Sequence, residues 1–180
     1  MRSPLATMSL RTKLVLSYLA VTLGAVFVLA FVIGQVVIYN FNQNQILFLK
    51  DLAYSYQVNH IYPAYLEHGQ LDQSSLADQF TRRNTAPVIL VITDQDGDQV
   101  WCSYPQFVDL GNCDNPTIQK ALSQAAHQST PVEGSLNIPH PHDNENDGSI
   151  QYLAKAVQLH GQFIGTMFIA EPEPNGVTPF

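Results

Sequence analysis

The chain has 180 residues, with 15 acidic against eight basic side chains, a formal net charge of −7, 46% hydrophobic residues and only 13% charged. That balance argues against nucleic-acid binding and against resting on anionic lipid, both of which favour clustered Lys and Arg. Eleven prolines and ten glycines suit a globular module with several turns, and no internal repeat or long low-complexity tract is present.

Residues 1–13 carry Arg2, Arg11 and Lys13 and no acid. Residues 14–39 follow without a single charge; their polar members are Ser17, Thr22, Gln35 and the amphipathic Tyr18 and Tyr39. As a helix this run covers roughly 39 Å, more than the roughly 30 Å of a bilayer's hydrocarbon core. All 15 acidic residues and five basic ones come after it, so the formal charge is +3 before the run and −10 beyond. Basic flanks stay in the cytoplasm, which places residues 1–13 inside and the chain from Asn40 onward outside. A cleaved signal peptide is the competing reading. Val28-Leu29-Ala30 would serve as its cleavage site, but a signal core has only about 7 to 15 apolar residues, and here Phe31, Val32, Ile33, Val36, Val37 and Ile38 continue the run. An uncleaved anchor is expected.

Residues 40–180 number 141, the size of one domain with a sizeable core. Over 40–66 the residues Phe41, Phe48, Leu49, Leu52 and Tyr56 recur at helical spacing, so the membrane helix is expected to continue outward. That stripe meets either the domain's own sheet or the same helix of a second chain. Pro63 predicts the helix end, give or take a turn, and Glu67-His68-Gly69-Gln70 a loop. A second helix is expected from Ser74 or Ser75, capped with Asp78, with Leu76 and Phe80 inside, stopping before Ala86-Pro87.

Val88-Ile89-Leu90-Val91-Ile92 predicts a strand covered on both faces. Asp94-Gln95-Asp96-Gly97-Asp98 then gives a tight turn into 99–104, where Val100, Cys102 and Tyr104 alternate with Gln99, Trp101 and Ser103. A calcium loop is disfavoured: Gly97 comes one residue early, and the twelfth position from Asp94 is Pro105. Cys102 and Cys113, with ten residues between them, are expected to form a disulfide outside the cytoplasm, worth about 2 to 3 kcal/mol; two free thiols are the alternative, and the spacing is wrong for a redox CxxC pair.

Asn115-Pro116 opens a helix to about His127, with Ile118, Ala121, Leu122 and Ala125 on its buried stripe. Residues 132–138 predict a short strand. His140, His142, Asp143, Glu145 and Asp147 could together hold a divalent ion, but their spacing matches no recognised site, and the two flanking prolines favour a solvated loop. Residues 150–159 and 162–170 predict an antiparallel pair joined at His160-Gly161, with Gly165 marking a close backbone approach or a bulge. Residues 171–180 read as a tail or linker. The sequence carries no G-x-S-x-G, no H-E-x-x-H and no convincing nucleophile with its base, so catalysis is not expected. The fold class is α+β: a transmembrane helix, then an antiparallel sheet flanked by helices over 40–170.

Ser9-Leu10-Arg11-Thr12-Lys13-Leu14 entering the span, the strand and turn Val88-Ile89-Leu90-Val91-Ile92-Thr93-Asp94-x-x-Gly97, Asn115-Pro116-x-Ile118-x-x-Ala121-Leu122 and Gly161-x-Phe163-Ile164-Gly165 carry a resemblance. Together they resemble the input half of bacterial membrane sensor histidine kinases, whose outer domain is PAS-like, of the single-Cache kind. The resemblance implies an inner-membrane protein, a homodimer, and an extracytoplasmic ligand or partner protein. It also implies a pocket over the sheet beneath residues 105–127, with Trp101, Tyr104, His127 and Tyr152 as candidate lining. No cofactor is implied for this chain. In that family a second span, a HAMP linker, the phosphorylated histidine and an ATP-binding domain follow; none stands after Glu171 here, so a fragment of a longer receptor or a truncated relative is expected. ATP and a response regulator are implied only through that missing region. A chemoreceptor or cyclase with the same input domain is the related alternative, and an anchored protein-interaction module the unrelated one.

Overall fold

The computed structural model describes residues 9–81, 88–103, 113–138 and 148–171, and the chain divides into two units, Met1–Gln43 and Asn44–Phe180. Helix α1 runs from Leu10 to Tyr56. Its start is fixed locally, since the backbone N–H of Thr12 donates to Ser9 Oγ and that of Lys13 to Ser9 carbonyl. In the first unit the apolar side chains are exposed on every face of the helix, and none of the most apolar stretch is buried. The hydroxyl of Thr22 donates back to the carbonyls of Tyr18 and Leu19, each at 3.0 Å, which removes a free polar group from that surface. This is a helix long and apolar enough to cross a membrane.

In the second unit the expected stripe splits. Leu49, Ala53 and Tyr56 are buried and Leu52 half-buried, whereas Phe48 stays exposed. Pro63 does not end the helix. The turn Gln57–Ile61 widens into a π-helix, with the Tyr62 N–H bonded to Gln57 carbonyl, and α2 follows directly over Tyr62–His68. In an α-ladder the Pro63 ring would press on the Asn59 carbonyl and leave it without a donor; the wider turn relieves that conflict. Gly69, with φ of 73°, closes α2 in the left-handed conformation that glycine adopts without strain.

Helix α3 spans Gln73–Thr81, and its cap is Asp72 rather than a serine. Asp72 Oδ1 accepts from the Ser75 N–H at 2.7 Å while the Asp72 N–H donates to Ser75 Oγ at 3.2 Å, a capping box one turn earlier than the Ser75-to-Asp78 pattern predicts. The Ser75 N–H, then the Ser74 hydroxyl, hold the Asp72 carboxyl below the usual carboxylate range. The sign follows: a group whose folded pKa lies below its unfolded value of about 3.9 stabilises fully above that value and loses its contribution as pH falls through the folded one. Asp72→Ala is therefore expected to lower the melting temperature at pH 7, and thermal unfolding should show the gap from the parent protein shrinking below about pH 4. The expected end of α3 before Ala86-Pro87 lies outside the described residues.

Strands β1 (Ile89–Thr93), β2 (Gln99–Ser103), β3 (Val132–Ile138), β4 (Gly148–Leu159) and β5 (Gln162–Ala170) form one antiparallel sheet in the order β2-β1-β5-β4-β3. All five residues of β1 are buried, as a strand covered on both faces requires. One face packs on α1, α2 and α3 through Leu90, Ile92, Leu153, Val157, Met167 and Ile169. The other packs on α4 (Pro116–His127) through Ile89, Val91, Tyr152, Ala154, Phe168 and Ala170. Asn115 caps α4 by accepting from the Thr117 N–H at 2.9 Å, with Pro116 in its first turn.

Two irregularities break strict alternation. The β1–β2 register shifts between Ile92 and Thr93, skipping Val100, so Val100 and Trp101 both pack on the helical cluster instead of facing opposite ways. The β4–β5 register shifts between Val157 and Gln158, beside Gly165. His160 and Gly161, both at positive φ, make the turn between those strands.

Candidate functional site

The β1–β2 turn is built by its own acid. Asp94 Oδ1 accepts from the N–H groups of Asp96 at 3.0 Å and Asp98 at 2.9 Å, and the Asp94 N–H donates to Asp98 carbonyl. Gly97, at φ of 89°, supplies the backbone conformation the turn needs. This turn, α4 from Gln119 onward and β5 border an open cleft of about 380 Å³. Thr93 to Gly97 form one wall, Gln119, Leu122, Ser123, Ala126 and His127 the second, and Phe163 with Thr166 the third. Thr93 and Thr166 are buried, and their hydroxyls bond to each other.

The cleft has a defined electrostatic character. Asp94 and Asp96 border it, no Lys or Arg does among the described residues, and the last turn of α4 brings the negative end of a helix to its rim. Leu122, Ala126 and Phe163 add apolar surface beside Gln95, Gln119 and Ser123. Among the described residues no hydrogen bond joins a hydroxyl of this cleft to a histidine or carboxylate.

Of the four side chains singled out from the sequence, His127 lines this cleft. Tyr152 lies on the same face of the sheet but stacks on Phe168 at 4.9 Å and covers Gly134 of β3, where a Cβ would meet its hydroxyl at 2.5 Å. Trp101 packs on the opposite face, stacked on Phe80 at 4.8 Å, and its Nε1 has no acceptor among the described residues. Tyr104 and the group His140, His142, Asp143, Glu145 and Asp147 lie outside the described residues. No cluster of three metal-ligating side chains occurs among the described residues. Gln119, Ser123 and Phe163 were not singled out from the sequence; the first two follow the helical stripe adjoining Ile118 and Leu122, a pattern that marks a second contact face of α4.

Cys102 and Cys113 are joined in a disulfide with Cα atoms 6.3 Å apart, and both pack on the α4 side of the sheet. Reduction, or Cys102→Ser with Cys113→Ser, is expected to cost about 2 to 3 kcal/mol for so short a loop, read as a lower denaturation midpoint in the same buffer.

An antiparallel sheet in this strand order with helices on both faces defines an α+β domain, an arrangement consistent with the PAS-like, Cache type. No family model matches the chain, and no curated protein does. Among solved structures it is similar to the ligand-binding domain of the chemoreceptor CtaA of Pseudomonas fluorescens, in complex with L-serine, at 18% identity and a TM-score of 0.38. The match covers 74% of this chain and 52% of that one, so the chain spans about half the length of that domain.

Proposed function

We propose that this chain is the sensing region of a bacterial membrane receptor, with 14–39 as its anchor, 40–170 outside the cytoplasm, and a sensor histidine kinase as the full-length protein. One observation carries the reading: a single chain joins a helix able to cross a bilayer to a domain with a polar cleft and no catalytic constellation among its described residues. The three basic residues before the apolar run and the acidic balance after it support the orientation. A small molecule entering the cleft would act through its differential affinity for two arrangements of the domain. ATP and a response regulator enter only through a kinase region outside this chain. A chemoreceptor or cyclase would use the same input, since fold and input do not determine output.

A homodimer fits the outward face of α1. Leu47, Phe48 and Tyr54 are exposed there, with Val58 of the following π-turn, on the side away from buried Leu49, Ala53 and Tyr56, and their spacing suits the same stripe of a second copy.

The test is a thermal-shift screen of the full chain in detergent micelles against small amines, amino acids and carboxylates. A compound that raises the melting temperature of the parent protein but not of Ser123→Trp, which fills the cleft, is the expected result. Stabilisation by compounds that Ser123→Trp leaves untouched would place the site elsewhere, and capture of an exported protein with no small-molecule response would favour an interaction module.

A further inference from the structure

The π-turn between α1 and α2 has helical backbone angles on both sides, with Tyr56 at −63°, −41° and Tyr62 at −62°, −46°. The helix is therefore continuous and carries one residue more than an α-ladder would hold over the same stretch. Val58 and Asn59 of the turn are exposed, while Gln57, His60 and Ile61 are buried. Gln57 is fastened at both ends of its amide: Oε1 accepts from Lys155 Nζ at 2.6 Å, and Nε2 donates to Tyr62 Oη. Tyr62 Oη in turn donates to Gln158 carbonyl at 2.7 Å, so β4 holds the turn at two points. His60 stacks on Phe80 at 4.7 Å and ties the same turn to α3. Lys155 is half-buried, burial lowers its pKa, and Gln57 is its hydrogen-bond partner among the described residues.

We propose that Gln57–Ile61 is a two-state joint, held in its π form by the Lys155–Gln57–Tyr62 latch. Conversion to an α-ladder would turn residues 44–56 by about 100° and shift them by about 1.5 Å relative to α2, the angular and axial step of one residue. Each position facing the sheet would then be taken by the next residue along. Leu47 would replace Ile46 and Tyr54 would replace Ala53, which buries two side chains that are now exposed. Lys50 would replace Leu49, giving up its 2.8 Å ion pair with Glu133 and carrying a charge to the sheet face. That cost makes the π form the resting one. The joint stands on geometry alone; its use in signalling rests on the receptor reading, and the experiment below reads the joint whether or not a ligand exists.

The experiment is amide hydrogen exchange on the full chain in micelles. Gln57→Leu and Lys155→Met are each expected to speed exchange at 58–62 by about tenfold, with β5 amides unchanged. Deletion of Val58, which removes the spare residue while keeping Leu49, Ala53 and Tyr56 on the sheet, is expected to leave the domain folded and to slow exchange at the joint by about tenfold. Unfolding on deletion of Val58 would overturn the proposal, because all five residues would then be required; so would latch variants that fold but leave exchange at 58–62 unchanged. If Gln57→Leu does not fold, Lys155→Met alone decides.

Discussion

Gly165→Ala is expected to destabilise the domain by about 4 kcal/mol, combining backbone strain with overpacking. Gly165 has φ of 154°, and a Cβ built there would stand 2.1 Å from the Thr93 carbonyl oxygen and 3.3 Å from a Leu71 methyl. The oxygen belongs to a backbone paired on both sides within the sheet, since Thr93 faces Gln99 in β2 and Thr166 in β5. It cannot retreat as a flexible side chain would, so β1 and β5 must part where they wall the cleft. At about 3 to 5 °C per kcal/mol for a domain of this size, the melting temperature should fall by more than 10 °C. A change under about 2 °C in calorimetry would contradict the close approach.

Phe168→Ala should cost about as much, roughly 4 kcal/mol, by a different route. Phe168 is fully buried in the C-terminal half of β5, the middle strand, where its register partners are Val91 and Ala154. It stacks on Tyr152 at 4.9 Å within the α4-side cluster. Ala154 and Ala170 on that face are too small to fill the space the ring leaves, so the cavity term adds to the lost burial. Phe168→Leu, which retains most of the volume, is expected to recover at least half of the loss, measured as the denaturant midpoint at constant slope.

The parts of this fold legible in the sequence are those governed by local chemistry. The unbroken apolar run 88–92, rich in β-branched residues, the Asp-Gly turn after it, the Asn115-Pro116 start of α4 and the His160-Gly161 turn each state their conformation within a few residues. Gly165 too could be read as a close approach or a bulge, and both are present, a tight contact with Thr93 and a register shift beside it. What escaped was set by distant partners. Pro63 reads as a helix end because the sequence does not show that a buried Gln57, held from β4, can support a π-turn instead. Trp101 reads as facing away from Val100 because a bulge depends on pairing with β1. Among the described residues the candidate site was legible only at His127. The cleft is made where three separate segments converge, and Gln119, Ser123 and Phe163 acquire meaning there only once α4 lies across the sheet end.

The most direct test of the receptor account is sidedness. Alkaline phosphatase, which folds only outside the bacterial cytoplasm, would be fused behind Phe180 of the full chain, and cells would be fractionated and their membranes washed with alkaline carbonate. The account predicts active phosphatase that stays with the membranes and carries an intact N-terminus beginning before residue 14. Inactive phosphatase, or an active enzyme released in a form cleaved within or just after residues 14–39, would contradict it.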